Sequence, residues 1–301
     1  MNKSCTRWIC ALLVVAPRIA LAQGPQQEVA PKSKTVTLPF FVVDGHGKPT
    51  SAPTKIDLSV LDGKIPLHSV VAIQAAKSLP LRLGILIDTS NSEARNGLYK
   101  PGVQATAELV SQLLKAPEDK VFVVNFGETP DVSGFMSRDE FLKSKTDLAP
   151  GGGTALFDAV YVACKKRMQA DPTEPSRRVL VILSDGRDNM SHVTRDEAVA
   201  AALEARTVIF AVNTSENSNR ADSVALSWFA DKTGGYAFLY PNLPKVFPSI
   251  REQIQNMYTV TFVPADGGKP RRYHSIELRD PSDTKMKLRA PKGYYVSDGV
   301  R

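Results

Sequence analysis

Between residues 81 and 257 short apolar runs alternate with stretches of helical periodicity, and this alternation leaves the chain few folds to choose from. Residues 81–87, 121–126, 179–183 and 207–212 are apolar runs of strand length, the pattern of strands covered on both faces. Between them, Val103, Ala107, Val110, Leu113 and Leu114 recur at helical spacing, and so do Leu156, Ala159, Val160, Ala163 and Cys164 in a helix that Thr154 opens. Thr194 and Glu197 form the signature of a capping box before another helix. Residues 221–233 and 243–257 add two helices around a short strand at 236–239. Strands that alternate with helices pair in parallel through right-handed crossovers, so the spacing predicts a doubly wound, mostly parallel α/β sheet.

Either side of this segment the pattern changes. Residues 35–43 are rich in β-branched and aromatic residues and stop at the turn signal Asp44-Gly45. Residues 55–61 alternate, Asp62-Gly63 marks a hairpin turn, and residues 65–73 resume an extended apolar pattern. Residues 258–263, 274–278 and 286–290 are further strand candidates. The chain therefore divides into a β segment at 34–80, an α/β domain at 81–257 and a C-terminal β segment at 258–301. Segments on both sides of an inserted domain can pair with each other, so the flanks are expected to build one small β-sandwich from which the α/β domain projects.

The first 22 residues read as a secretory signal peptide. Lys3 and Arg7 precede an apolar run at 8–16, and Ala20-Leu21-Ala22 supplies the small residues of a cut site. A membrane span needs about twenty apolar residues, so cleavage is expected instead of anchoring, and no later segment is long enough to cross a bilayer. Residues 23–33, polar with prolines, read as a disordered lead-in. The expected location is the periplasm or the exterior.

Cleavage would remove Lys3, Arg7 and Arg18 from a total of 38 Lys and Arg against 31 acids, which lowers the formal charge from +7 to about +4. That excess is too small to point to nucleic acid or an anionic membrane. Cys5 and Cys10 would go too, leaving Cys164 on the apolar face of its helix as a buried hydrophobe. Stability must then come from the core, with no intramolecular disulfide.

In an open doubly wound sheet, ligands sit beyond the carboxyl ends of the strands. The first apolar run is followed there by Asp88-Thr89-Ser90-Asn91-Ser92 and the third by Ser184-Asp185-Gly186, while Gly151-Gly152-Gly153-Thr154 lies at a helix start between them. Three loops thus bring the carboxylates of Asp88 and Asp185 and the hydroxyls of Ser90, Ser92 and Thr154 to one rim. A spacing of two lets a turning backbone aim Asp88, Ser90 and Ser92 at one point, and the glycines before Thr154 permit close approach. Donors that are all oxygen suit a hard cation, Mg²⁺ first, with Mn²⁺ or Ca²⁺ as alternatives; the absence of His and Cys argues against zinc. Asp158 and Asp188 read as supporting or solvated acids.

The order D-x-S-x-S, Gly-rich loop with Thr, then apolar strand ending in S-D-G resembles the metal-ion-dependent adhesion site of von Willebrand factor type A domains, over about residues 81–257. The resemblance implies that Ser90, Ser92 and Thr154 contact the metal directly or nearly so, and that Asp88 and Asp185 bind it directly or through water. It also implies an open coordination position that an Asp or Glu carboxylate of a partner protein completes. Residues 35–71, with the Asp44-Gly45 and Asp62-Gly63 turns, and residues 288–295, with Gly293-Tyr294-Tyr295, are similar to the VWFA-related domain family of secreted bacterial proteins.

Other chemistries find less in the sequence. No G-x-S-x-G is present, and a P-loop reading of residues 45–48 fails because its first glycine would fall at Val42 and Pro49 separates Lys48 from Thr50. A metal-dependent hydrolase would need a general base, for which only Glu93 or Asp188 stand near in sequence. A binding protein, not an enzyme, is therefore expected, with a structural or assembly module whose metal site is dispensable as the other reading. Residues 269–272, basic and beside Gly267-Gly268, read as a hairpin tip. His46, His68, His192 and His274 read as surface or strand residues.

Overall fold

β1 (Val36–Val43) is buried along almost its whole length because it has a layer on each side. Val36, Leu38, Phe40 and Val42 enter one core, and Phe41 and Val43 enter another. The computed structural model describes residues 35–45, 50, 58–67, 70–93, 98–144, 151–169, 175–215, 223–239, 242–269, 272–280 and 286–296. The signal peptide at 1–22, the lead-in at 23–33, His46 and His68 lie outside the described residues. After β1 come β2 (Ser59–Asp62), β3 (Ile65–Leu67) and β4 (Val70–Ala75). The α/β stretch then runs β5 (Leu81–Asp88), α1 (Tyr99–Leu113), β6 (Lys120–Phe126), β7 (Pro130–Val132), α2 (Arg138–Lys143), α3 (Leu156–Ala163) and β8 (Arg177–Ser184). It continues with α4 (Arg195–Glu204), β9 (Val208–Asn213), α5 (Val224–Thr233), β10 (Ala237–Phe238) and α6 (Leu243–Gln255). β11 (Tyr258–Phe262), β12 (Tyr273–Arg279), β13 (Lys287–Arg289) and β14 (Gly293–Tyr295) follow.

The central sheet has the order β10-β9-β8-β5-β6-β7 and is parallel except for the β7 edge. It is the doubly wound α/β sheet that the alternation predicts. Leu83, Ile85, Val181 and Phe210 meet α1 and α6 on one face, and Leu86, Phe122, Ile182 and Ile209 meet α3, α4 and α5 on the other. β5 is its middle, and any side chain at Gly84 would run into Leu180 and Phe122 from the strands on either side. Two short elements have no counterpart in the periodic pattern: β7, and α2, which a capping box between Ser137 and Glu140 opens. The buried face of α1 is Tyr99, Gly102, Thr106, Leu109, Val110 and Leu113, so Val103 and Ala107 are only partly buried. Val110, Leu113 and Leu114 are buried as expected, and near the start of the helix the small Gly102 faces Leu183, where a side chain would press on it.

The flanks do pair with each other. One sheet has the order β13-β1-β11-β4 and the other β14-β12-β2-β3, so each mixes strands from before and after the α/β stretch. Phe40, Val60, Phe262, Ile276, Leu278 and Tyr294 fill the space between them. Ala75, the last residue of β4, pairs with Tyr258, the first of β11, so the α/β stretch leaves and rejoins the sandwich at one point.

Three local readings need correction. Residues 65–73 are not one strand: β3 and β4 lie in different sheets. The β2–β3 loop is Gly63-Lys64, with Gly63 at φ +65, so Asp62 is paired with Ile65 and buried, not placed at the turn tip. The basic stretch 269–272 is not the tip of a β11–β12 hairpin either, because β11 pairs with β1 and β4 whereas β12 pairs with β14 and β2; the chain crosses from one sheet to the other between these strands.

Candidate metal centre

β5 ends at Asp88, whose side chain folds the next residues back towards itself. Asp88 Oδ1 accepts from Ser90 N–H at 2.9 Å, and Ser90 Oγ lies 3.1 Å from Ser92 Oγ. This turn aims three side chains spaced by two along the sequence into one place. From the adjacent strand β8, Ser184 Oγ donates to Asp88 Oδ2 at 2.5 Å and accepts from Gly186 N–H at 3.0 Å. The S-D-G turn thereby sets Asp185 beside Asp88, and Arg187, at the exposed rim, approaches Asp185 Oδ2 to 3.7 Å.

Glu93 joins these two acids. Carboxylate oxygens of Asp88, Glu93 and Asp185 all lie within 4.8 Å of one another, and all three residues are buried. Glu93 Oε1 accepts from Asp185 N–H at 3.1 Å and from Thr214 Oγ1, just beyond β9, at 2.7 Å. In the sequence Glu93 stands out only as a possible base; the signal for its place here is an acid directly after S-x-S on the same loop. Burial pushes the Asp88 carboxyl up to about 6, against the lowering effect of its bonds to Ser184 and Ser90, and the charge of Asp185 adds to the rise. Burial, then the charges of Glu93 and Asp88, hold the phenol of Tyr99 well above its ordinary range.

The third loop is fastened to the first. Asn91 N–H donates to Gly152 O at 3.1 Å and Gly151 N–H to Thr89 O at 2.7 Å, with Gly152 at φ +74. Thr154 is buried, its N–H donating to Asn189 Oδ1 at 2.8 Å and its carbonyl accepting from Asn189 and Met190. Thr154 does not cap the helix, since Ala155 occupies that position. Asp158 and Asp188 brace the surroundings. Asp158 accepts from the N–H groups of His192 and Val193 and from the exposed His192 ring, and Asp188 accepts from Phe157 N–H and Ser191 Oγ. Cys164 is buried, as expected, and burial raises its thiol far above the ordinary range.

The donor set fits a divalent cation. Three buried carboxylates this close repel one another, and a cation among them replaces repulsion with attraction at low effective dielectric. Every donor is an oxygen, which matches Mg²⁺, Mn²⁺ or Ca²⁺. The buried hydroxyl of Tyr99, within the field of Asp88 and Glu93, has no hydrogen-bond partner among the described residues.

Residues 83–187 match the family model of the von Willebrand factor type A domain, and this span includes Asp88, Ser90, Ser92, Glu93, Thr154 and Asp185. The chain thus carries a von Willebrand factor type A domain with a cluster of acids like that of a metal-ion-dependent adhesion site. Among solved structures, a von Willebrand factor type A protein from Catenulispora acidiphila is similar at 12% identity and a TM-score of 0.50, covering 91% of this chain and 76% of that one. Proximal thread matrix protein 1 from the mussel byssus, with a zinc-occupied MIDAS motif, is 18% identical with a TM-score of 0.49 over 62% of this chain. This chain spans 48% of that protein's length. An aerotolerance-related membrane protein from Bacteroides fragilis is 19% identical with a TM-score of 0.42, over 58% of this chain and 98% of that one. Likeness at these identities concerns the fold alone. No curated protein sequence matches the chain. Among the described residues no helix is long and apolar enough to cross a membrane.

Proposed function

We propose that this rim holds a divalent cation, Mg²⁺ in the first place, and that the protein uses it outside the cytoplasm to grip an Asp or Glu carboxylate of a partner protein. The observation that carries the reading is the convergence of Asp88, Glu93 and Asp185 within 4.8 Å. A bound cation supplies a coordination position for an anionic oxygen. The chain's own residues do the rest: Ser184 and Ser90 fix Asp88, Thr214 fixes Glu93, and the fastened loops hold Ser90, Ser92 and Thr154 at the same rim. Two positive charges and that of Arg187 balance three acids, so a partner's carboxylate is held by coordination more than by net charge.

The same geometry favours binding over hydrolysis. Glu93 Oε1 already accepts two hydrogen bonds, and both oxygens of Asp188 are bonded to the 157 and 191 positions. Both bases available in the sequence are thus engaged in holding the loops together, which supports the binding reading.

The test is affinity capture of envelope and secreted proteins on the immobilised chain, with Mg²⁺ or with chelator, alongside Asp185→Ala. The expected result is a partner retained only by the unaltered chain with Mg²⁺. Retention that ignores both chelator and substitution would replace this reading with an assembly module working through other surfaces.

A further inference from the structure

At the other end of the central sheet, where the strands begin, a cleft of about 290 Å³ opens between the sandwich and the entries to β8 and β9. Arg177, Arg178 and Arg206 line it together with Thr35, Thr37 and Thr259, and among the described residues it has no carboxylate. Two of the arginines are tied down. Arg177 Nε donates to Leu79 O at 2.9 Å and its Nη2 lies 3.9 Å from Asp119, while Arg178 donates to Ser176 Oγ and Ala205 O. Arg206 differs: among the described residues its guanidinium has no hydrogen-bond or ion-pair partner, and burial alone pulls it below its ordinary range. The buried hydroxyl of Thr259, on the facing wall, has no hydrogen-bond partner among the described residues either.

The backbone makes Arg206 stranger still. With φ 52 it is the one non-glycine residue in the left-handed region among those described. Its N–H donates to Leu203 O at 3.0 Å and that of Thr207 to Ala202 O at 2.9 Å, which closes α4 by the motif that ordinarily takes glycine. A side chain here strains the backbone that glycine would relax. The helix dipole favours a cation at this end, but that effect requires neither burial nor two more arginines on the same cleft.

We propose that this cleft binds a small oxyanion carrying two negative charges, a phosphate group or a dicarboxylate, with Arg206 as the residue that waits for it. Guanidinium forks match such oxygens in pairs, and three partly desolvated cations around one space are relieved by an anion between them. Because β1 and β11 form one wall and the α/β layer the other, the anion ties the two layers together, and binding registers as stability.

The experiment compares thermal unfolding in chelator, at fixed ionic strength, with chloride, inorganic phosphate or succinate at about 10 mM. Chelator keeps any metal-held anion out of the comparison. The expected result is a rise of about 3 °C or more with one of the two oxyanions, which also tells phosphate from dicarboxylate. Arg206→Gly, whose backbone suits φ 52, is expected to unfold no earlier in chloride and to lose the rise. Titration calorimetry of the unaltered protein gives a second readout that requires no variant. An equal rise in Arg206→Gly, or no rise and no heat with either oxyanion, would overturn the proposal.

Discussion

The buried polar cluster of the sandwich and that at the rim of the central sheet are built on opposite principles. In the sandwich, Asp62 accepts from Tyr294 Oη at 3.0 Å and Ala265 N–H at 3.0 Å, and the His274 ring stands 3.1 Å away, stacked on Tyr294. On its other side His274 lies 3.6 Å from Asp266. A group that can carry positive charge is thus enclosed between two carboxylates that the chain itself supplies. At the rim of the central sheet, Asp88 is met by the neutral donors Ser90 and Ser184 and by two further carboxylates. The first arrangement is what a buried acid needs to be structural; the second puts three acids where a cation from solution is the natural partner.

The contrast breaks first if the sandwich cluster is cut. Asp62→Ala leaves Tyr294, His274 and Ala265 without their shared acceptor, and is expected to lower stability by about 3–5 kcal/mol in chemical unfolding. A stabilising response to Mg²⁺ should survive in whatever fraction remains folded. Asp88→Asn should do the reverse. In chelator it is expected to stabilise by about 2–3 kcal/mol, since a carboxyl raised from 3.8 to about 6 burdens the folded state at neutral pH, and it should abolish the response to metal.

A smaller effect sharpens the comparison through pH. A carboxyl whose folded pKa lies above its unfolded one contributes least penalty below the unfolded value and most above the folded value. Metal-free protein should therefore gain about 1 kcal/mol relative to Asp88→Asn when pH falls from 7.5 to 5. In saturating Mg²⁺ the sign should invert, because protons then compete with the cation for Asp88. Thr194→Ala, which removes the α4 capping box and bonds to neither cluster, should cost about 1 kcal/mol and leave the metal response unchanged.

The two clusters also differ in how far they can be read from sequence. Asp88, Ser90 and Ser92 fall within five residues, and Asp185 directly ends an apolar strand, so local spacing and sheet topology suffice to bring them together. Glu93 escaped because its role depends on Thr214 and the Asp185 amide, 121 and 92 positions away. Asp62 and His274 are 212 apart, and Asp62 beside Gly63 has the form of a turn signal. Only the pairing of β2 with β12 from the other flank brings it to His274. Short elements such as β7 and α2 hold too few residues to show a period.

Calorimetric titration of Mg²⁺, and then Mn²⁺ and Ca²⁺, into chelator-stripped protein at neutral pH measures the central claim directly. One ion per chain, with the heat lost in Asp185→Ala, is the result this account predicts. A flat titration with all three ions, in protein shown to be folded, would contradict it.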